Sequence, residues 1–160
     1  MKISLSWLKE YLPIDQSPIE IARKMTMAGV EVGEIITIGD SWDDQLVIVG
    51  KILEISPHPN ADRLRLPTID IGKGEPVTVV CGAPNIQVGQ VIAFAHEGAQ
   101  IFNPRNGKLE ILKGAEIRGV ESKGMVCSPL ELGLGTNHDG ILELSGEFEL
   151  GTPLFEVLGD

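Results

Sequence analysis

The chain has 160 residues, 42% of them hydrophobic and 22% charged, which is enough to bury one core, or one core plus a small satellite, without disulfides or metals. A formal net charge of −10 excludes a strong nucleic-acid grip spread over the whole surface, because affinity for phosphate backbones comes largely from Lys and Arg releasing counterions. Aromatic residues at 4% leave little for base stacking, and the two cysteines, Cys81 and Cys127, sit in apolar runs that suit buried thiols in a reducing cytosol better than a disulfide framework.

From the N-terminus, Ser6 to Leu12 is expected to form a short helix stopped by Pro13. Ser17-Pro18-Ile19-Glu20 then places Ser at the N-cap, Pro at the first helical position and Glu where it reaches back to the cap amide. Ile21, Met25 and Ala28 repeat at helical spacing and Gly29 suits a left-handed C-terminal cap, so a helix is expected over Pro18 to Ala28. Glu31 to Ile38 reads as a strand. From Leu46 the pattern changes to short β runs punctuated by Gly, Pro and Asn: Leu46 to Ser56, Leu66 to Ile71, Pro76 to Cys81, Gln90 to Ala95, Leu109 to Arg118, Met125 to Ser128 and Gly140 to Leu144. Such even spacing favours a barrel or sandwich. Gly50 falls inside the longest run, where it marks either a bend or bulge or simply a weak spot in an ordinary strand. Thr152-Pro153 opens a last segment, Thr152 to Leu158, again with N-cap chemistry.

The acidic excess is unevenly placed. Between Asp40 and Gly151 there are 16 acidic and 9 basic residues, but Asp40, Asp43, Asp44, Glu143, Glu147 and Glu149 lie at the two ends, and without them the middle holds 10 against 9. A local RNA contact is compatible with that middle. In Ser56-Pro57-His58-Pro59-Asn60-Ala61-Asp62-Arg63-Leu64 two prolines stiffen the chain and Asn60 is expected to cap one helical turn, presenting Arg63 and Arg65 near a barrel rim for bidentate contact with phosphate. The same residues equally suit a tight structural corner in which Asp62 caps or pairs with a neighbour. Val79-Val80-Cys81-Gly82-Ala83-Pro84-Asn85 is a buried strand running into a turn; Asn85 suits a base edge or ribose, and also a turn residue bonded to its own backbone. Arg118, Ser122 and Lys123 put two cations and a hydroxyl around a Gly-bounded turn, a pattern shared by phosphate cradles and solvated hairpin tips.

Catalytic signatures fail. Gly119 and Gly124 have the spacing of a phosphate loop, but Met125 stands where Lys must follow, and Gly133-Leu134-Gly135-Thr136-Asn137-His138 lacks the third glycine of a dinucleotide loop. His58, His96 and His138 are far apart, with no Cys-x-x-Cys or His-x-x-x-His pair, so neither a metal nor a catalytic site is expected.

Three segments, read in order, carry a resemblance: His58-Pro59-Asn60-Ala61-Asp62-Arg63-Leu64, Val79-Val80-Cys81-Gly82-Ala83-Pro84-Asn85 and Arg118-Gly119-Val120-Glu121-Ser122-Lys123-Gly124-Met125-Val126-Cys127-Ser128. Together they resemble the tRNA-binding oligonucleotide/oligosaccharide-binding (OB) fold of bacterial phenylalanyl-tRNA synthetase beta subunits and of small stand-alone tRNA-binding proteins. The opening Met1-Lys2-Ile3-Ser4-Leu5-Ser6-Trp7-Leu8-Lys9-Glu10-Tyr11-Leu12-Pro13 is similar to the start of the beta subunits. Because those are several times longer, an N-terminal fragment is expected.

The resemblance implies an α+β, mainly β chain: an OB-fold β-barrel over residues 40–151, inserted in a small α/β N-terminal domain whose parts are residues 1–39 and 152–160. It implies a non-catalytic role in binding and positioning phenylalanine-specific tRNA, with RNA contacts at Arg63, Arg65, Asn85, Arg118, Ser122 and Lys123. The parent would be a cytoplasmic ATP-dependent ligase using magnesium, an alpha2-beta2 heterotetramer in which the alpha subunit holds the aminoacylation site. This stretch itself would take no cofactor and no membrane. Two other readings stay open: a structural module for synthetase assembly, favoured by the charge, and a stand-alone tRNA-binding protein, disfavoured by the extra N-terminal segment.

Overall fold

The computed structural model describes residues 1–158; Gly159 and Asp160, the end of the expected 152–160 part of the N-terminal domain, lie outside the described residues. Local chemistry fixes the N-terminal helices. Helix α1 (Leu5–Lys9) starts where the Ser4 hydroxyl accepts from the Trp7 amide, and its last turn opens out before Pro13. Helix α2 (Pro18–Met27) has the full capping box: the Ser17 hydroxyl accepts from the Glu20 amide at 3.4 Å and the Glu20 carboxylate from the Ser17 amide at 2.9 Å. Such a cap contributes about 1 kcal/mol. The helix closes as a Schellman motif, Val30 N–H to Met25 O and Gly29 N–H to Thr26 O, with Gly29 at φ 93°. Neither helix buries a residue. The strand expected over Glu31 to Ile38 does not form. Among the described residues no other strand lies beside this stretch to take its backbone hydrogen bonds, and Ile35 and Ile36 are exposed.

The remainder is mainly β: β1 (Val47–Pro57), β2 (Arg65–Asp70), β3 (Val77–Thr78), β4 (Val91–His96), β5 (Gln100–Phe102), β6 (Leu109–Ile111), β7 (Ala115–Ile117), β8 (Val120–Ser122), β9 (Gly124–Val126) and a closing helix α3 (Leu154–Leu158). An antiparallel sheet runs β3-β2-β1-β4-β9, and β5-β6 and β7-β8 form two separate ribbons. Strand β1 serves several neighbours. Residues Val47 to Lys51 pair with β4, and Lys51 to Pro57 pair with β2. The other edge of its first half is taken by residues 151–153, through Val49 N–H to Thr152 O at 2.9 Å and Gly151 N–H to Val49 O at 2.8 Å. Partners change at Gly50, where an added Cβ would lie 2.8 Å from Ile69 Cγ2, and the register slips between Ile52 and Glu54. Close approach of the Ile69 side chain therefore accounts for this glycine, and the bulge lies further along the strand.

Alternation along β1 and β4 feeds two cores. Val47, Val49, Ala93 and Ala95 join Trp42, Ala99, Ile101, Cys127, Leu132, Leu144 and Leu154 on one face. Ile48, Ile52, Ile92 and Phe94 join Ile69, Val79, Cys81, Ile86, Val126 and Ile141 on the other. A sheet covered on both faces explains why β1 and β4 read as nearly continuous apolar runs. The sheet also curls. Just beyond one edge strand, the Val80 amide donates at 3.1 Å to the Ser122 hydroxyl, just before the opposite edge strand.

Several boundaries differ from expectation. Leu109 to Arg118 is two strands, because Leu112 pairs with Ala99 and Gly98 and Gly114 then passes 3.0 Å, measured from a built Cβ, from the Glu97 carboxylate. Gly140 to Leu144 makes one bridge, Ile92 with Glu143, rather than a strand, and Pro76 to Cys81 narrows to β3 plus a bridge from Cys81 to Arg65. Strands β5 and β8, three residues each, are too short for an alternation pattern to show.

Gly124 sits where a Cβ would meet Phe94 Cζ at 2.5 Å and Ala95 O at 2.8 Å, with no positive φ involved. Gly124→Ala is therefore expected to destabilise the fold by about 1–3 kcal/mol through overpacking, read as a lower urea midpoint at unchanged slope.

Candidate nucleic-acid interface

Two loops carry two of the six candidate residues, Arg63 and Arg118, and a buried imidazole and an exposed amide latch those loops together. After β1 the chain turns through residues 58–64 without helical structure, so Asn60 caps no helical turn. Its backbone amide donates to His58 Nδ1 at 3.0 Å and its side-chain Nδ2 donates to Arg118 O at 2.8 Å, which leaves the amide side chain bridging loops instead of capping. Because Nδ1 accepts, the His58 proton sits on Nε2, which donates to Ile117 O at 2.9 Å. His58 itself is buried. The corner is thus bonded at two points to the tip of the β7–β8 hairpin.

That tip is a two-residue loop, with Ile117 opposite Val120. Both loop residues have positive φ, Arg118 at 51° and Gly119 at 87°, the signature of a type I′ turn. Asn-Gly or Gly-Gly is the usual pair there; an arginine in the left-handed region costs roughly 1–2 kcal/mol. Arg118 is the one non-glycine residue with positive φ among the described residues.

The six expected contact residues divide in two. Arg63 and Arg118 are exposed, with neither guanidinium engaged within the described residues, and they stand on the two latched loops. Lys123 is exposed at the far end of β8, roughly 15 Å from Arg118 at the rise of a strand. Its 3.3 Å pair with Glu121, with side chains 62% and 69% exposed, is the sort of surface contact that holds a lysine weakly. The other three are engaged inside the chain. Arg65 donates to the carbonyls of Ala83 at 2.9 Å, Pro84 at 3.1 Å and Ile86 at 3.3 Å, fixing the loop after β3. Asn85 pairs through both ends of its amide with the backbone of Ile141, at 2.9 and 3.1 Å, against Gly140, whose missing Cβ leaves the room. Ser122 is buried, accepting from Val80 and donating to Gly124 O.

Sequence reading missed the latch residues His58 and Asn60, although a His-Pro-Asn turn with a spare amide was in view. It also missed a reciprocal pair with capping-box chemistry on a turn, in which Ser128 and Glu131 bond at 2.7 and 3.4 Å; Ser128-Pro129-Leu130-Glu131 repeats the Ser-Pro-x-Glu pattern of residues 17–20. Burial pushes both thiols up, Cys127 the more strongly, which removes nucleophile character. Among the described residues no three His, Cys, Asp or Glu side chains converge to hold a metal, and no helix is long and apolar enough to cross a membrane.

Residues 47–153 match the family described as "Putative tRNA binding domain". Over all 160 residues the chain is 51% identical to a phenylalanine-tRNA ligase beta subunit from Dehalococcoides mccartyi, covering 100% of this chain and 19% of that protein. A beta subunit of the same name from Chlorobaculum tepidum is 43% identical over 159 residues, 99% of this chain and 19% of that one. The chain thus spans about a fifth of these relatives. A crystal structure of a MetRS related protein from Pyrococcus horikoshii aligns at 21% identity over 68% of this chain and 87% of its own, with a TM-score of 0.48.

Replacing Arg118 by Asn would give the Asn-Gly pair a type I′ turn favours. Arg118→Asn is expected to raise the melting temperature of this chain by about 2–4 °C for about 1 kcal/mol of relieved strain, measured by calorimetry.

Proposed function

The chain belongs to the tRNA-binding domain family, and on that premise we propose that it is a non-catalytic RNA-contacting module that helps bind and position phenylalanine-specific tRNA for aminoacylation by a phenylalanine-tRNA ligase. The observation that carries the reading is the placement of two unengaged arginines, Arg63 and Arg118, on loops latched into one rim of a chain that is otherwise acidic. Arg63, Arg118 and Lys123 are the direct phosphate contacts. Arg65 and Asn85 hold the loop after β3, and Ser122 ties the end of β8, next to Lys123, to Val80. Cations on short loops, with few aromatics nearby, favour reading of backbone and shape over reading of bases.

The barrel is of OB type over residues 40–151. Its order β3-β2-β1-β4-β9, a long first strand shared between neighbours, and the bond joining its two edges support that reading. Residues 1–39 and 152–160 are two parts of one further domain. Gly39 and Phe155 abut, a built Cβ on the first lying 2.9 Å from the second, and the unburied helices α1 and α2 and the turn after α1 show Trp7, Ile19, Met27 and Tyr11 to solvent. Those apolar faces also favour a second role, packing against other parts of a cytoplasmic alpha2-beta2 assembly that includes the alpha subunit. ATP and magnesium serve the parent enzyme elsewhere. The described residues carry no phosphate-loop sequence and no group of three metal-ligating side chains.

Replacing Arg63 and Lys123 together by Ala is expected to weaken tRNA binding and to lower the slope of log affinity against log salt by about 2, one unit for each phosphate no longer neutralised. Fluorescence anisotropy with labelled tRNA at stepped salt measures both, and a double variant indistinguishable from the parent would remove the proposed site.

A further inference from the structure

We infer that Asn60 is a positioning residue for the RNA grip: its side-chain amide, by bonding the Arg118 carbonyl, holds that arginine in a left-handed conformation and fixes it against Arg63. The inference rests on the tRNA-binding reading and goes further in assigning a task to a residue that itself makes no RNA contact.

Three observations converge. Arg118 adopts φ 51° in a turn where Asn or Gly would be free of strain, so the backbone alone does not favour an arginine there. Its guanidinium makes no bond within the described residues, so the side chain itself offsets none of that strain. The carbonyl of the same residue is the one that Asn60 Nδ2 reaches at 2.8 Å, while a Cβ on Gly119 would lie 3.4 Å from that Nδ2, so the amide packs closely over the turn. His58 supports Asn60 from below, through the Asn60 amide to Nδ1 and through Nε2 to Ile117 O, the residue before the turn. Asn60 and Arg63 share one short loop. A bond from Asn60 to the opposite tip therefore sets the separation of the two arginines and removes the freedom the tip would otherwise lose on meeting phosphate.

A double-mutant cycle tests this in the full-length gene product with a phenylalanine tRNA transcript, reading dissociation constants between about 50 and 200 mM salt. Asn60→Ala, Arg118→Asn and their combination are compared, with Arg118→Lys as the charge-retaining control and Arg63→Ala as the control for the rim. Asn60→Ser, too short to reach the Arg118 carbonyl, replaces Asn60→Ala if that variant does not fold. Arg118→Asn is expected to weaken binding about threefold or more at the higher salt and to reduce the salt slope by about 1, whereas Arg118→Lys keeps the slope. Asn60→Ala is expected to weaken binding in the parent but not further in the Arg118→Asn background. Equal loss in both backgrounds, or no loss from Asn60→Ala while Arg118→Asn weakens binding, overturns the positioning role and leaves the tRNA reading standing. If neither Arg118→Asn nor Arg63→Ala changes affinity or slope, the rim is not the RNA site and both readings fall.

Discussion

The architecture depends on one strand being paired along more edges than a simple hairpin provides. β1 gives its first half to β4 on one side and to residues 151–153 on the other, then gives its second half to β2. At the exchange point stands Gly50, where an added side chain would run into Ile69 Cγ2. Everything that presents the proposed RNA rim hangs on that exchange. The 58–64 corner continues from the end of β1, and the hairpin tip it holds is carried by strands that lead into β9, the sheet's last edge.

Electrostatics here work by placement. A chain of net charge −10 has no long-range attraction for a polyanion, so any contact must come from a few cations held where their neighbours do not neutralise them. The fold achieves this with neutral hydrogen bonds. His58, Asn60, Asn85 and Ser122 tie loops together with their amide, imidazole and hydroxyl groups, and Arg65 is drawn inward to carbonyls. Among the described residues, no buried side-chain nitrogen or oxygen is left without a partner. The same economy explains why Arg65 and Arg63, two residues apart in sequence, have such different surroundings.

Much of this was legible in the sequence where a pattern has a local cause. The Ser17 capping box, the Gly29 stop, the β1 and β4 runs and both buried thiols follow from residues within a few positions of one another. What was not legible depended on partners distant in sequence. Glu31 to Ile38 has the β-branched composition of a strand, yet no strand among the described residues lies beside it. Asn60 has the composition of a helix cap, yet its amide reaches Arg118, 58 residues on. Asn85 and Ser122 looked like ligand-facing polar groups because a sequence shows that a side chain can make hydrogen bonds, and not that Ile141 and Val80 already take them. The strain at Arg118 was likewise hidden, since an Arg-Gly pair reads as an ordinary turn until its φ angles are seen.

The pairing of β1 with residues 151–153 has a consequence for synthesis. As the chain leaves the ribosome, β1 emerges roughly a hundred residues before the segment that covers the outer edge of its first half. During that interval a run of Val47, Ile48 and Val49 shows unpaired amides and carbonyls beside an apolar surface, the arrangement that invites a neighbouring nascent chain to add a strand. Covering of that edge is therefore a late, long-range closure, and until it forms β1 stands open to mispairing.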